Sequence, residues 1–277
     1  MLGESPATKM LNTLIAGALP SRPCLRLQVT ALIQSHPALQ LFVDKLETHT
    51  ALDDDDRAAI LALPHTLRTL EASAYLFREG DHAANCCVIL SGFACRHKIV
   101  AGGARQILSV HMRGDGTDLQ NAFLPLGDHS IQALTRVEVA FIPADKVREA
   151  ALARPLVGRA LWSETLLDAA IQREWTANVG RRDSRTRIAH LLCELGLRQE
   201  RIGLCDRRYY ALPMTQEQLA DATGLTPVHV NRTLQALRAE GVIAREKRTI
   251  DIADWDHLTR IGDFHMAYLE PPAHKPA

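Results

Sequence analysis

The sequence predicts an α+β protein in which an antiparallel β-roll or jelly roll is followed by a long helix and a C-terminal winged helix-turn-helix. Three observations support this prediction. Short segments rich in β-forming residues, separated by glycines, fill residues 67–143. A helical period then runs through residues 145–180. Finally, two short helical segments meet at Gly224, and a pattern of alternating apolar and polar residues follows them.

The composition is that of an ordinary globular chain and argues against several classes of protein. Of the 277 residues, 47% are hydrophobic and 23% are charged, and the formal net charge is zero. No apolar run reaches the roughly 18 residues that a membrane-spanning helix needs. The N-terminal segment also lacks the strongly basic start of a signal peptide. We therefore expect a cytoplasmic protein without a membrane partner.

The distribution of charge and cysteine narrows the expected partners. Acidic side chains are in excess over residues 41–180, and basic side chains are in excess over residues 181–250. This asymmetry favours contact between the C-terminal part and a polyanion, although a random fluctuation would look the same. The six cysteines are scattered and form no CxxC pair. We predict no disulfide framework, no metal and no cofactor.

We divide the chain into five predicted parts. The parts are a loosely held N-terminal extension (1–37), the β-roll (38–150), the long helix (151–182), the winged helix-turn-helix (183–265) and a C-terminal tail (266–277).

A helix is predicted to begin at the acidic run Asp53–Asp56. This run suits a helix N-terminus, where carboxylates accept hydrogen bonds from free N–H groups and oppose the helix dipole.

The long helix carries two apolar stripes. One stripe consists of Leu156, Ala160, Leu167 and Ile171, and the other of Leu161, Trp162, Leu166 and Ala169. Two stripes suggest two surfaces to bury, with the β-roll on one side and a second copy of the chain on the other. We assign dimerisation to the first stripe. The alternative, that both stripes belong to the core of a single chain, stays open.

The two short helices have clear start and turn signals. Thr215 and Gln218 form a capping-box pattern before the first helix. Gly224 permits the tight turn, Thr226 is a good N-cap, and Pro227 suits the first position of the second helix. Within this second helix, Val230, Leu234 and Leu237 repeat at helical spacing and are predicted to face the core, and the side chains predicted to point outward are His229, Asn231, Arg232, Thr233 and Gln235.

The outward side chains suit DNA recognition. An arginine can donate two hydrogen bonds to guanine, and an asparagine can pair bidentately with adenine. A helix of this width fits the major groove. The segment after the helix alternates apolar and polar residues and clusters Arg245, Lys247 and Arg248, which predicts a two-stranded wing that contacts phosphate. A helical hairpin without DNA-binding activity would show the same spacing.

Three motifs in order resemble those of the Crp/Fnr family of transcription regulators, over residues 38–262. The segment YLFREGDHAANCCVILSGFACRHKIVAGGARQILSVHMRGD is similar to the family's cyclic-nucleotide-binding-like β-roll. The segment GRRDSRTRIAHLLCEL resembles the junction that follows the dimerisation helix, and MTQEQLADATGLTPVHVNRTLQALRAEGVI resembles the winged helix-turn-helix. The resemblance implies a homodimer that reads a two-fold symmetric operator on double-stranded DNA, with RNA polymerase as a further candidate partner.

The resemblance also implies roles for individual residues. By position, the base-facing sites are Thr226, Val228, His229, Asn231 and Arg232, and the phosphate contacts are Thr215 and Gln216. Arg232 matches the arginine with which members commonly read guanine. Val228 stands where the best-known members have a glutamate, so a contact to cytosine is missing. We therefore expect a half-site that differs from theirs.

The same comparison bears on the signal that the protein receives. Members that respond to cyclic AMP hold it with a Gly-Glu pair and an Arg-Ser pair. Here Asp118–Leu119 stands at the first position, and the second falls in Gly127–Ser130, which contains no arginine. A cyclic phosphate would face carboxylates there, so we expect no control by cyclic AMP. If an effector pocket exists, the resemblance places Asp118, Leu119, Gln172 and Arg173 in it.

Other interpretations stay open at this point. The protein could act without a ligand, or it could respond to another small molecule or to oxidation of Cys86, Cys87 or Cys193. A cupin-like metal enzyme would use His97 and His111, but we predict that the chain is not an enzyme because it lacks the usual ligand pattern. A dimeric scaffold that binds protein is a third class. DNA binding that weakens steeply with salt would separate a regulator from a scaffold.

Overall fold

The computed structural model describes residues 38–82, 84–124, 127–246 and 248–269. The predicted N-terminal extension 1–37 lies outside these ranges, as do residues 270–277 of the predicted tail. In chain order, the helices are α1 (Gln40–Glu47), α2 (Asp54–Leu61), α3 (Ala144–Ala153), α4 (Pro155–Arg181), α5 (Ser184–Arg201), α6 (Gln216–Thr223), α7 (Pro227–Ala239) and α8 (Trp255–Ile261). Short 3-10 helices span Leu119–Ala122 and Met266–Leu269.

Eleven strands occur among the described residues. They are β1 (Thr66–Leu70), β2 (Tyr75–Phe77), β3 (Asn85–Ser91), β4 (Ala94–Ile99), β5 (Arg105–His111), β6 (Gly116–Thr117), β7 (Ser130–Ala133), β8 (Val137–Pro143), β9 (Tyr209–Ala211), β10 (Ile243–Glu246) and β11 (Thr249–Ile252). The first eight form two four-stranded sheets with orders β1-β8-β3-β6 and β2-β7-β4-β5. Their pairings are antiparallel, which confirms the predicted β-roll.

The β-roll closes around a small apolar interior. Ile89, Ile131 and Val139 are fully buried there, and they come from strands of both sheets. The turn between β3 and β4 depends on Gly92, whose φ of 79° favours glycine. A Cβ at this position would lie 2.2 Å from the carbonyl oxygen of Arg136. This close approach holds the β3–β4 turn against the turn before β8.

The N-terminal helices cover the outer face of the sheet that contains β3 and β8. The N-cap of α2 is Asp53, whose carboxylate accepts from the backbone N–H of Asp56, as the acidic run predicts. Phe42 and Leu46 of α1 are buried in a cluster that includes Ala160 of α4. The first turns of the long helix α4 therefore pack against α1.

Helix α4 is the longest element of the described chain. Its 27 residues extend about 40 Å. Pro155 occupies the first helical turn, and the residue before it, Arg154, is extended. The long helix thus starts at residue 155, and residues 144–153 form the separate helix α3, which the sequence did not distinguish.

The C-terminal domain consists of α5 to α8 and a three-stranded antiparallel sheet of order β10-β11-β9. Its core is continuous with the outer face of the β-roll. Cys95 and Ile107 of the roll, Trp175 of α4 and Leu219 and Leu234 of the C-terminal domain belong to one buried apolar cluster. The two domains are therefore packed against each other. Among the helices of the described residues, none combines the length and apolarity needed to span a bilayer.

Candidate nucleic-acid interface

The helix-turn-helix starts with a complete capping box. The backbone N–H of Gln218 donates to Thr215 Oγ1 at 3.2 Å, and the backbone N–H of Thr215 donates to Gln218 Oε1 at 2.9 Å. The helix α6 ends at Gly224, which is left-handed with a φ of 63°. A Cβ there would lie 3.1 Å from Cγ1 of Val179 on α4. The end of the long helix therefore packs directly on the turn.

The second helix, α7, is anchored through one face. Thr226 caps its first turn by accepting from the backbone N–H of His229. Val230, Leu234 and Leu237 are almost completely buried, as predicted. Thr233 is also buried, at 7% exposure, and this corrects the prediction that it points outward. Residue 233 lies three positions after Val230 and so falls on the same face of the helix.

The opposite face of α7 is open. Its exposed residues include Thr226, Val228, His229 and Arg232, and Val228 retains 71% of its surface. Arg232 has no hydrogen-bond or ion-pair partner within the described part of the chain. Asn231 is half-buried, and its Nδ2 donates to Oε1 of Gln216 at 3.3 Å. All five predicted base-facing residues therefore lie on α7 or at its N-cap, and one of them, Asn231, contacts Gln216 of α6.

The turn is held from behind by arginine. Arg187 of α5 donates from Nη1 to the carbonyl oxygen of Thr223 at 3.0 Å, and from Nε to that of Arg182 at 2.7 Å. Arg185 forms an ion pair with Glu240 just after α7. These contacts fix α6 and α7 on α5, so the orientation of the open face follows from that of α5.

The wing is present as strands β10 and β11, which pair from Ile243–Ile252 to Glu246–Thr249. Arg245, one of the predicted phosphate contacts, lies on β10. Lys247 lies outside the described residues, and the side chain of Arg245 is likewise not described, so both stay predictions. Arg248, which the sequence places in the same basic cluster, is exposed.

A buried polar cluster joins the β-roll, α4 and the C-terminal domain. The sequence did not predict it. Glu194 of α5 is fully buried and accepts from Trp175 Nε1 of α4 at 3.0 Å and from the hydroxyl of Tyr268 at 2.7 Å. One turn later, Arg198 donates to Asp115 Oδ2 of the β-roll at 2.9 Å. Both residues lie on α5, which begins in the segment that resembles the family's junction after the dimerisation helix. Their spacing of four residues was the available signal.

The region of the predicted effector pocket is filled by charged side chains of the chain itself. Asp118 is buried, and its Oδ1 lies 2.7 Å from His129 Nε2 and 3.5 Å from Nη2 of Arg96. Arg96 of β4 also donates from Nη1 to Asp168 Oδ2 of α4 at 2.5 Å, and Gln172 donates to the same oxygen at 3.1 Å. The site therefore contains a cation, the guanidinium of Arg96, which β4 supplies; the segment Gly127–Ser130 does not supply it.

Electrostatics keep Asp168 ionised. Burial by itself would raise the pKa of Asp168, but the adjacent Arg96 guanidinium outweighs burial and holds the pKa below its ordinary value. Burial lowers the pKa of His111, with a further contribution from the positive charge of Arg96, to about 4. The histidine is therefore neutral at pH 7, and its Nε2 lies 3.0 Å from Ser109 Oγ.

The other two predicted pocket residues lie elsewhere. The side chain of Leu119 is buried in the apolar cluster with Phe42 of α1, so it is part of the core. Arg173 is exposed on α4. The predicted set is thus separated into Asp118 and Gln172, which belong to the charged cluster, and Leu119 and Arg173, which do not.

The apolar stripes of α4 are assigned differently by the structure. Ala160 is fully buried against α1, so its assignment to dimerisation is corrected. Ile171 is half-buried and packs on the cluster between the two domains, and its assignment stays a prediction. Leu156 is 37% exposed and Leu167 is half-buried. The most exposed apolar residues on α4 are Trp162 and Leu166, at 65% and 48%. They are four residues apart and share a face.

Comparison with known proteins identifies two regions of similarity. Residues 67–153 match the cyclic nucleotide-binding domain, and residues 186–261 match the Crp-like helix-turn-helix domain. The transcriptional activator protein FnrL of Cereibacter sphaeroides is 27% identical over 209 residues, which cover 74% of this chain and 84% of FnrL. The nitrogen fixation regulation protein FixK of Rhizobium meliloti is 28% identical over 196 residues, which cover 68% of this chain and 83% of FixK.

Solved structures share the fold. FixK2 from Bradyrhizobium japonicum superposes with a TM-score of 0.67 at 24% identity, covering 72% of this chain and 98% of FixK2. The c-di-GMP-responsive global regulator CLP of Xanthomonas campestris superposes with a TM-score of 0.60 at 17% identity, covering 73% of this chain and all of that chain.

Proposed function

The chain belongs to the Crp/Fnr family of transcription regulators, and from this premise we propose that two copies bind a two-fold symmetric operator through α7 without control by cyclic AMP. The observation that carries the proposal is the open face of α7. Its side chains are exposed, while the helix itself is capped, anchored by buried leucines and fixed on α5. Such a rigid helix can enter the major groove as a unit.

The exposed side chains favour particular base contacts. Arg232 is unpaired among the described residues, and its guanidinium can donate two hydrogen bonds to O6 and N7 of guanine. Val228 is 71% exposed, which leaves an isopropyl group in water. Contact with the methyl group of thymine would remove that group from water. We therefore propose a half-site with a G·C pair read by Arg232 and a T·A pair packed on Val228.

A second copy of the chain supplies the symmetry. Trp162 and Leu166 are exposed on the same face of α4, and Leu156 is partly exposed on the same helix. Burying a tryptophan and a leucine removes enough apolar surface to contribute several kcal/mol to association. We place the dimer contact on this stripe. Two copies of α7 related by a two-fold axis would then read half-sites about one helical turn apart.

Cyclic AMP has no free binding partner in the charged cluster. The Arg96 guanidinium is engaged by Asp168 and Asp118, and Asp118 Oδ2 has no partner within the described residues. An incoming phosphate would have to displace the carboxylates of Asp118 and Asp168 from the arginine and would then lie beside both negative charges. The ion pair between Arg96 of β4 and Asp168 of α4 holds the β-roll on the long helix without a ligand.

Other partners and classes follow from family membership. A transcription regulator works where the chromosome is, so we place the protein in the cytoplasm and keep RNA polymerase as a candidate partner. The family is one of transcription regulators, which is not an enzyme class. Within the described ranges, no group of three or more His, Cys, Asp or Glu side chains is arranged to hold a metal.

The direct test is selection of bound sequences from random duplexes by the purified protein, without added ligand. We expect one inverted repeat to be enriched. Arg232→Ala should weaken binding to the selected operator roughly 5- to 150-fold while changing non-specific binding little, because a bidentate base contact contributes about 1–3 kcal/mol of discrimination. Binding that is strong only in the presence of cyclic AMP, or that does not weaken with salt, would contradict the proposal.

A further inference from the structure

The contact between Gln216 and Asn231 links the first residue of α6 to the open face of α7. Nδ2 of Asn231 donates to Oε1 of Gln216 at 3.3 Å, and both side chains are half-buried. The capping box at the start of α6 uses Thr215 and Gln218, so the side chain of Gln216 is not needed there. It is available to hold Asn231.

This hydrogen bond determines what Asn231 can still offer to DNA. The amide of asparagine has two N–H donors and one carbonyl acceptor. Gln216 takes one N–H, which leaves one N–H and the carbonyl oxygen. Adenine presents one acceptor and one donor in the major groove, N7 and the N6 amino group, and thus matches the two groups that remain. Guanine presents two acceptors, which a single N–H cannot satisfy.

We propose that Gln216 is a positioning residue that orients the amide of Asn231 and thereby makes Asn231 select an A·T pair at one position of each half-site. This inference rests on the proposed DNA-reading function of α7 and deepens it. A side chain amide that is free to rotate would present either its donors or its acceptor to the groove. The amide held by Gln216 presents one fixed pair of groups.

Gln216 can perform this role while contacting the DNA backbone. Its Oε1 is engaged by Asn231, and its Nε2 remains available to donate to a phosphate, the contact that the sequence comparison implies. Because glutamine is uncharged, its loss should not change the number of ions released on binding. A change in base selection without a change in salt dependence is therefore the signature of the positioning role.

The experiment measures base selection by the full-length chain. Wild type, Asn231→Ala, Gln216→Ala and Gln216→Glu are each used to select sequences from random duplexes, and competition binding then compares A·T with G·C at every half-site position. Asn231→Ala identifies the position that Asn231 reads. Gln40→Ala, at the first residue of α1 and half-buried like Gln216, is the matched control for loss of a glutamine side chain.

We expect wild type to prefer A·T over G·C about tenfold or more at that position. Gln216→Ala should reduce this preference to about threefold or less, leaving the preference at the Arg232 position and the salt dependence unchanged. Gln216→Glu keeps an acceptor for Asn231 and should retain the preference, although its negative charge near phosphate lowers the affinity for all sequences. Gln40→Ala should leave the preference intact.

Several results would overturn the inference. They are a full A·T preference in Gln216→Ala, an equal loss of affinity for every sequence in that variant, or a wild-type preference for another base pair at the Asn231 position. If wild type selects no sequence at all, the proposed function fails and this inference fails with it. If wild type and Arg232→Ala behave as expected but Gln216→Ala does not, the proposed function stands and the positioning role alone is rejected.

Discussion

Arg105 on β5 and Asp221 on α6 form a two-pronged ion pair across the boundary between the β-roll and the helix-turn-helix. Nε and Nη2 of the arginine each lie 2.7 Å from Oδ2 of the aspartate, and both side chains are more than three-quarters buried. The β-roll therefore contacts α6 directly, and α6 is the helix that precedes α7. The orientation of the recognition helix depends on this contact as well as on α5.

Disrupting this pair should loosen the helix-turn-helix from the β-roll. We expect Asp221→Ala and Arg105→Ala each to lower the free energy of unfolding by about 1–3 kcal/mol, because a partly buried charge loses its partner. The double variant should cost less than the sum of the two single ones. Urea unfolding of the four proteins measures the coupling. A coupling free energy near zero would show that the ion pair does not hold the domains together.

Glu194 should be among the residues most sensitive to substitution. Glu194→Ala removes the acceptor for Trp175 and Tyr268 and a partner of Arg198, all within a buried site. We expect a loss of about 3–5 kcal/mol in the free energy of unfolding. Glu200→Ala provides the control on the same helix, because Glu200 pairs with Arg207 at a partly exposed position and its loss should cost less than about 1 kcal/mol. Equal losses for the two variants would contradict the role of the buried cluster.

The stability of the protein should fall between pH 7 and pH 5 because of His111. Burial and the charge of Arg96 lower its pKa from 6.5 to about 4 in the folded protein. In this range the unfolded chain takes up a proton at residue 111 and the folded chain does not, so the stabilisation is present above pH 6.5 and is lost as the pH falls. The expected loss is about 2 kcal/mol. The pKa values of His97 and His190 are lowered mainly by burial, and these residues act in the same direction.

Urea unfolding at pH 7 and pH 5 measures this dependence. His111→Gln should show a smaller loss of stability on acidification than wild type. The same substitution at the exposed His229 should leave the dependence as it is in wild type. If wild type and His111→Gln lose the same free energy between the two pH values, the histidine is protonated in the folded protein.

Substitution on the exposed stripe of α4 should convert the dimer to a monomer. Leu166→Glu places a charge at a residue that is 48% exposed in the single chain and that we assign to the dimer contact. We expect the mass in sedimentation equilibrium to halve, with little change in the circular dichroism spectrum. Leu67→Glu, at an exposed leucine on β1, is the matched control and should remain dimeric. Loss of the dimer in both variants, or in neither, would reject the assignment.

Cyclic AMP should leave the protein unchanged. A ligand present at 100 times its dissociation constant stabilises a folded protein by about 2.7 kcal/mol, which thermal unfolding detects readily. We expect no rise in melting temperature with millimolar cyclic AMP and a clear rise with the selected operator duplex, which serves as the positive control. A rise with cyclic AMP would mean that the nucleotide displaces the carboxylates from Arg96.

The local elements of the fold were predictable because their signals are local. The capping box at Thr215, the turn at Gly224 and the cap at Thr226 each depend on side chain and backbone groups within a few residues of one another. The antiparallel β-roll followed in the same way from short strands and glycine turns. The prediction that Thr233 points outward was wrong because polar residues of the helix were assigned to the outer face by residue type alone.

The contacts between distant segments were not predictable from the sequence. Arg96 and Asp168 are 72 residues apart, and nothing local to either residue shows that β4 will meet α4. The same is true of Arg198 and Asp115, which are 83 residues apart. Ala160 illustrates the related problem of the stripes, since a helix pattern shows that two faces are apolar but does not show which face the same chain covers.

The central claim is that two copies of α7 present Arg232 and Asn231 to base edges in a symmetric site. The measurement that tests it most directly is sequence selection from random duplexes by wild type and by the Arg232→Ala, Asn231→Ala double variant, at two salt concentrations. The account predicts that wild type enriches an inverted repeat whose half-sites lie about one helical turn apart, and that the double variant keeps salt-sensitive binding but enriches no sequence. Enrichment of the same repeat by both proteins would contradict it.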